Sequence, residues 1–322
     1  MVNFLVTGAS GFIGQALISR LQNHAAAKRI VAAVRRDVQF APGVALSRIE
    51  DCGPQTNWQK SLAGIDVIVH AAAHVHRMDG DAAPAFHRIN TAGTLNLARQ
   101  AVAAGARRLV FISTVKVNGE ATALGQRFRA MDAPAPSDAY ALSKCAAEEG
   151  LHALAQDSGL EIVIVRPPLV YGPGVGANFL KFMRWIDRGL PLPISRSPSN
   201  LRSLIGVHNL ADLLVCCALH PAARGKTFLA ADGEDVSTEE LARRLARLLD
   251  KPARMIAVPS FAMDLLPGGS AKRQRLFGSL QVDASPARAL LDWAAPLTLD
   301  AGLTETVRWY REYHPSQNHG LG

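Results

Sequence analysis

The chain has 322 residues, 48% apolar and 19% charged, with a formal net charge of +8. That length accommodates one large α/β domain with a smaller lobe, and the composition is that of a globular chain rather than a disordered or fibrous one. The positive charge lies on scattered arginines without interleaved aromatics, which argues against nucleic acid as partner and leaves anionic small molecules.

Residues 1–7, MVNFLVT, read as a first strand and lack the charged start of a signal peptide. No apolar run approaches the ~18 residues that cross a bilayer, so no membrane insertion is expected. Cys52, Cys145, Cys216 and Cys217 show neither CxxC spacing nor a disulfide framework. A reducing compartment follows, and a cytoplasmic location is expected.

Strand and helix signals alternate through the first half. NFLVTG is a strand and GQALISRLQNH a helix. RIVAAVR and IDVIVHAA are further strands. AFHRINTAGTLNLARQAVAAG predicts one long helix ended by Gly105. RRLVFIST, DAYALSKCAAEEGLHALAQDSG and EIVIVRPP continue as strand, helix and strand. Uninterrupted apolar strands separated by helices imply an α/β fold, a doubly wound parallel sheet covered on both faces. After Arg166 the pattern changes. Pro and Gly cluster in RPPLVYGPGVG and RGLPLPISRSPSN, which marks a boundary. SLIGVHNLADLLVCCALHP predicts a strand and helix that rejoin the sheet. Ser237 and Glu240 fit a capping box at a helix start. The expected division is a dinucleotide-binding domain over 1–166, with 203–230 returning to it. The smaller lobe covers 167–202 and 231–322, and the final HPSQNHGLG is expected to fray.

TGASGFIG sets Gly8, Gly11 and Gly14 at the turn from first strand to first helix, with Ser10, Phe12 and Ile13 between and after them. Glycine lets backbone approach a pyrophosphate, and a helix N-terminus favours its charge. About twenty residues on, where such folds read the adenine ribose, stand Arg35 and Arg36. A guanidinium there favours the 2′-phosphate of NADP(H), with NAD(H) as the alternative through Asp37. Asp51 is placed either at adenine or as a helix cap. YALSK puts Tyr140 and Lys144 one helical turn apart. An ammonium beside a phenol lowers its pKa, and so does the cationic ring of an oxidised nicotinamide, so Tyr140 is a candidate proton carrier. His70, His74 and His76 lack a carboxylate scaffold, and no metal is expected.

The glycine turn, RIN before a long helix, ST after a strand, YxxxK and RP…YGP occur in this order. The sequence resembles the extended short-chain dehydrogenase/reductase family, which contains nucleotide-sugar epimerases, dehydratases and reductases. The resemblance implies a Rossmann-type domain with a smaller α/β substrate-binding lobe. It implies Thr114, Tyr140 and Lys144 as the catalytic residues, with Ser113 structural and Lys144 also holding the cofactor ribose. Ala71, Ala72, Ala73, Asn90 and Pro167 fall at cofactor positions, and Asn178 and Arg202 at the diphosphate side of a sugar nucleotide. His76 and Lys116 are candidate substrate contacts. Val115 and Lys116 stand where relatives that are dehydratases carry an Asp-Glu pair, and Asn118 where a tyrosine is common. Dehydratase activity is therefore not expected. Segments such as STVKVNGE and RPPLVYGPGVGANF look most like reductases of UDP-4-keto-6-deoxy-N-acetylhexosamines in surface polysaccharide (O-antigen) synthesis. The expected function is NADPH-dependent reduction of a C4 keto group on a UDP-sugar. The alternatives are a UDP-sugar 4-epimerase with tightly bound NAD and, more distantly, a non-catalytic nucleotide sensor. A homodimer is the implied assembly.

Overall fold

The structure is a computed structural model that describes residues 1–75, 83–123, 125–192, 200–256 and 278–314. His76 and the tail beyond His314 lie outside the described residues.

In chain order the strands are β1 (Val2–Thr7), β2 (Ala27–Val34), β3 (Val44–Arg48), β4 (Val67–His70), β5 (Arg108–Ile112), β6 (Glu161–Arg166), β7 (Leu169–Tyr171), β8 (Arg202–Gly206), β9 (Thr227–Leu229) and β10 (Asp235–Val236). Seven form one sheet in the order β3-β2-β1-β4-β5-β6-β9, every pair parallel. Their apolar runs are continuous because both faces are covered. Phe4, Val6, Val110, Ile112, Val163 and Val165 face one core. There they meet Leu17, Ile18 and Leu21 of α1 (Phe12–Gln22) and Leu210, Leu213 and Leu214 of α7 (Val207–Leu219). The alternate residues Leu5, Leu109, Phe111, Ile162 and Ile164 face the other core. The two-residue period of the strand sorts them.

That second face is covered by α4 (Thr94–Ala103) and α5 (Ala139–Ser158), after the short α2 (Gln59–Leu62) and α3 (Ala83–Phe86). The single long helix expected here is instead α3, a π-helical turn over His87–Gly93, and α4. Hydrophobic spacing does not reveal the widened turn, because the buried residues on either side keep their face.

The lobe has its own three-stranded sheet, β10-β8-β7. It packs with α6 (Ala177–Asp187), α8 (Thr238–Leu248) and α10 (Leu299–Tyr313) around Tyr171, Phe179, Met183, Leu245 and Leu303. In the returning segment, α7 and β9 join the main domain, whereas β8 pairs with β7 in the lobe. Ala287 and Leu291 of α9 (Ser285–Leu291), together with Trp293, pack into the main core although they fall in the stretch read as lobe. At α8, Ser237 Oγ accepts from Glu240 N at 2.9 Å, but the Glu240 carboxylate takes Arg244 Nε at 2.8 Å. Half of the capping box therefore forms.

Candidate active site

Strand order reverses between β1 and β4, so the carboxyl ends of these neighbours open a crevice where such folds bind ligands. The glycine turn follows β1. Gly8 has φ +65°, and a Cβ there would lie 2.6 Å from Ala72 N. A Cβ at Gly14 would come within 2.2 Å of the Gly8 carbonyl. Gly11 N donates to Gly8 O at 2.9 Å, and Gly11 caps α1, whose first turn holds no acidic side chain. Phe12 and Ile13 begin the helix half-buried. Ser10 is exposed, its carbonyl held by Gln15 Nε2 at 3.0 Å. A backbone cradle of helix N–H groups, closed to any side chain at Gly8 and Gly14, fits a dinucleotide pyrophosphate.

Arg35 and Arg36 follow β2 and are exposed. Arg48 Nη1 binds the Asp37 carboxylate at 3.3 Å. Asp51 closes the turn ahead of α2, whose cap position is Trp58, so it is not a helix cap. Its Oδ1 accepts from Gly53 N at 2.9 Å and Thr56 Oγ1 at 2.7 Å, and its Oδ2 from Arg88 Nη1 at 2.8 Å. These bonds, that of Thr56 foremost, hold its pKa below the usual carboxylate value.

Beside the cradle, a one-way chain of hydrogen bonds runs through buried His70. Thr94 Oγ1 donates to Asn90 O at 2.7 Å, so it accepts from His70 Nε2 at 2.9 Å. His70 Nδ1 then carries no proton and accepts from Thr7 Oγ1 at 2.6 Å, which in turn accepts from Ala72 N at 3.3 Å. Asn90 completes the frame: its Oδ1 accepts from His74 N at 2.7 Å, and its Nδ2 donates to Ser143 Oγ at 3.0 Å. Ala71 N donates to Thr7 O at 3.2 Å. The segment Ala71–Ala73 is thereby fixed from both sides of the crevice. His70 is thus a hydrogen-bond relay within the core.

Burial, helped by the Lys144 charge, pushes the His70 pKa from 6.5 down to about 3. Between those values the unfolded chain binds a proton that the folded chain refuses. This contribution to stability is complete above pH 6.5 and lost as pH falls toward 3. Urea midpoints from pH 7 to pH 4 should therefore drop faster for wild type than for His70→Gln. Parallel curves would assign the acid loss to other groups.

Thr114 ends β5 and begins a 3₁₀ turn over Val115–Val117, with Oγ1 accepting from Lys116 N at 3.3 Å. Ser113 N donates to Val165 O at 2.8 Å, and its buried hydroxyl has no hydrogen-bond partner among the described residues. Tyr140 lies in the first turn of α5, capped by Asp138, whose Oδ1 accepts from Ala141 N at 2.7 Å. The Tyr140 ring meets Phe86 edge-on at 5.9 Å, and its carbonyl accepts from Ser143 Oγ at 2.7 Å. One turn on, Lys144 is buried with Nζ 3.9 Å from the centroid of the Phe111 ring, a cation–π contact.

In the protein alone the phenol is shifted upward, opposite to the lowering expected from a neighbouring ammonium. Burial, with Asp138 adding, pushes the Tyr140 phenol up to about 12. Burial also pulls Lys144 down to about 7, with Glu148 opposing. Desolvation and the Asp138 charge both disfavour the phenolate, so the protein's own groups keep Tyr140 protonated.

Lys116 was expected at the substrate. Its Nζ binds Asp138 Oδ2 at 2.6 Å and Glu120 Oε1 at 2.9 Å. Burial lowers its pKa, but these two carboxylates outweigh it and the net shift is upward. Arg202 gives Nη1 to Gly278 O at 2.8 Å, and Asn178 stands exposed in the first turn of α6. Pro167 is buried, its carbonyl accepting from Val115 N at 3.0 Å beside Thr114.

Sequence reasoning missed a buried ion pair behind the site. Arg166 Nε donates to Glu148 Oε1 at 3.0 Å, and Arg166 Nη1 to Asn118 Oδ1 at 3.0 Å. Two signals pointed to it. Glu148 stands four residues after Lys144, and Asn118 occupies a place where a tyrosine is common.

A glycine cradle that fits a dinucleotide, with a tyrosine–lysine pair on α5 and a threonine at the end of β5, fits the class of dinucleotide-dependent enzymes. The chain belongs to the NAD dependent epimerase/dehydratase family, whose description matches residues 4–231. It is 44% identical over 312 residues to a UDP-glucose 4-epimerase of Vibrio cholerae, covering 95% of this chain and 94% of that one. It is 24% identical to the N-acetyl-alpha-D-glucosaminyl-diphospho-ditrans,octacis-undecaprenol 4-epimerase of Escherichia coli O157:H7, covering 95% of each chain. Among solved structures it resembles MoeE5 in complex with UDP-glucuronic acid and NAD. That likeness has a TM-score of 0.78 at 26% identity and covers 96% of this chain and 99% of that one. The enzyme class and Rossmann-type fold are those expected. The two curated relatives carry the names of 4-epimerases where a 4-reductase was expected, and MoeE5 holds NAD where NADP was favoured.

Proposed function

We propose that the protein is an NAD-dependent 4-epimerase of a UDP-hexose. The observation that carries this reading is the 44% identity to a UDP-glucose 4-epimerase over almost the full length of both chains. The glycine cradle would hold the pyrophosphate, and Lys144 the nicotinamide-side ribose. The chemistry a bound nicotinamide dinucleotide supplies is reversible hydride transfer at C4. Tyr140 Oη takes the proton from the C4 hydroxyl and later returns it, and Thr114 Oγ1 hydrogen-bonds the same oxygen. Lys144 offers positive charge to the phenolate. Because the protein alone favours the phenol, the proton is returned readily once taken. The chain Thr7–His70–Thr94–Asn90 keeps the crevice wall and the Tyr140 helix in register.

One observation favours a second reading, NADPH-dependent reduction of a UDP-4-keto-6-deoxy-N-acetylhexosamine. Arg35 and Arg36 are exposed at the end of β2, while Asp37 is paired with Arg48. The intact Tyr140–Lys144 pair argues against a non-catalytic sensor.

The test is to denature the purified protein, identify the released nucleotide, and assay UDP-glucose or UDP-N-acetylglucosamine without added cofactor. The epimerase reading expects bound NAD and conversion to the C4 epimer with no net change in nicotinamide oxidation state. Stoichiometric NADPH consumption with a 4-keto sugar, and no epimerisation, would replace it with the reductase.

A further inference from the structure

The outer side of α6 faces solvent. Phe179, Met183 and Ile186 turn the helix into the lobe core, which leaves Lys181, Arg184, Trp185 and the adjoining Arg188 exposed. The helical period sets Lys181, Trp185 and Arg188 in one row, with Arg184 beside it. Asp187, the only carboxylate of α6, points toward α10, where it accepts from Tyr310 Oη at 3.0 Å. Among the described residues, Lys181 and Arg188 form no ion pair, and Arg184 Nη2 meets only the His314 ring, at 3.4 Å. Apolar groups gather around these charges. Trp185 is 46% exposed, and its Nε1 already donates to Pro191 O at 3.1 Å, so the part of the indole left to solvent is hydrocarbon. Leu192 N donates to Arg254 O at 2.8 Å, and Ile256 N to Leu192 O at 2.9 Å, which brings a second stretch alongside. With it come the exposed Arg254 and Ile256, close to the exposed Leu190. An apolar cluster left in water and ringed by charge marks an interaction surface.

We propose that this surface docks the protein reversibly onto an anionic phospholipid bilayer. Acidic headgroups attract clustered Lys and Arg, while Trp and aliphatic side chains settle at the boundary between headgroups and acyl chains. The long Lys and Arg stems lie along that apolar layer and carry their charge to the headgroups. The row is the outward side of a helix and not a groove of the kind that takes a peptide. Trp185 is a single exposed ring, whereas a nucleic-acid platform stacks successive bases on several. Docking is peripheral. The apolar side of α6 is committed to the lobe core, and no helix among the described residues is long and apolar enough to cross a membrane. The proposal is independent of the reaction assigned to Tyr140 and Lys144.

The deciding experiment is flotation of the full chain with vesicles of phosphatidylcholine, with and without phosphatidylglycerol, at low and high salt. Binding is expected only where the acidic lipid is present, and high salt should release it. Lys181→Glu/Arg188→Glu should weaken binding by about tenfold or more, whereas the same change of charge on the main domain, Lys28→Glu/Arg224→Glu, should change it little. Arg254→Glu, on the second stretch, should also weaken binding, which keeps the test decisive if the first double variant does not fold. The chain has four tryptophans, of which Trp58 and Trp293 are buried. Acidic vesicles should therefore shift the emission of the wild type to the blue and leave that of Trp185→Phe in place. Absence of flotation with acidic vesicles overturns the proposal. Equal weakening by the two charge reversals also overturns it, since the attraction would then belong to the net charge of +8 and not to this face. Emission of the bound wild type that does not move overturns it as well, because the indole would lie outside the lipid. Retention of a single-stranded oligonucleotide that depends on Lys181 and Arg188, without vesicle binding, would assign the face to nucleic acid instead.

Discussion

Replacing Tyr140 by Phe is expected to lower kcat by about 10²- to 10⁴-fold, the usual range for losing a positioned proton carrier. NAD affinity should change little. The ring would still pack edge-on against Phe86, and Asp138 would still cap the helix through Ala141 N. Neither contact uses the hydroxyl. Lys144 keeps its place over Phe111, and the glycine cradle lies on a different strand end. The loss should therefore fall on kcat, with the KM for the UDP-sugar nearly unchanged. Rapid-mixing kinetics with a separate NAD-binding titration would separate the two. A variant that turned over at near-normal rates would transfer the proton-carrying role to another group, Thr114 being the nearest by sequence reasoning.

The second large effect concerns stability. Arg166 and Glu148 are 6% and 5% exposed and bind each other through two nitrogens and both carboxylate oxygens. Arg166→Met removes one partner and leaves a buried carboxylate without its counter-charge. Breaking such a pair costs about 3–5 kcal/mol. The double variant Arg166→Met/Glu148→Leu should recover most of that loss, because the penalty lies in the stranded charge rather than in the missing bond. Chemical denaturation of the three proteins measures this directly. A single-variant loss below about 1 kcal/mol, the value of an exposed pair, would mean that water reaches Glu148. Glu148 also holds the Lys144 charge up, so a variant without that carboxylate should carry a more neutral Lys144 at pH 7.

The main sheet was legible because each inner strand reads as an unbroken apolar run. The glycine turn was legible because it sits between a strand and a helix. Tyr140 and Lys144 were legible from a spacing that any helix converts into one face. Features that depend on which distant segments meet were not. Nothing local says that Lys116 finds Asp138 twenty-two residues on, and the signals at Glu148 and Asn118 do not name Arg166 as their partner. The π-helical turn leaves no mark in hydrophobic spacing. The direction of the Tyr140 shift was misjudged for the same reason. A sequence shows that a lysine stands one helical turn away, but the desolvation that raises the phenol comes from packing.

The position of β9 bears on how the chain is made. It completes the sheet against β6, but about sixty residues separate Arg166 from Thr227, and the lobe's β7, α6 and β8, with α7 of the main domain, come between them. At a synthesis rate of about 5–20 residues per second, the outer edge of β6 stays unpaired for several seconds on the ribosome. An open strand edge is a template for the wrong partner. The nascent chain thus has its greatest need of a chaperone, and its greatest exposure to aggregation, after the cofactor half is synthesised and before Thr227 emerges.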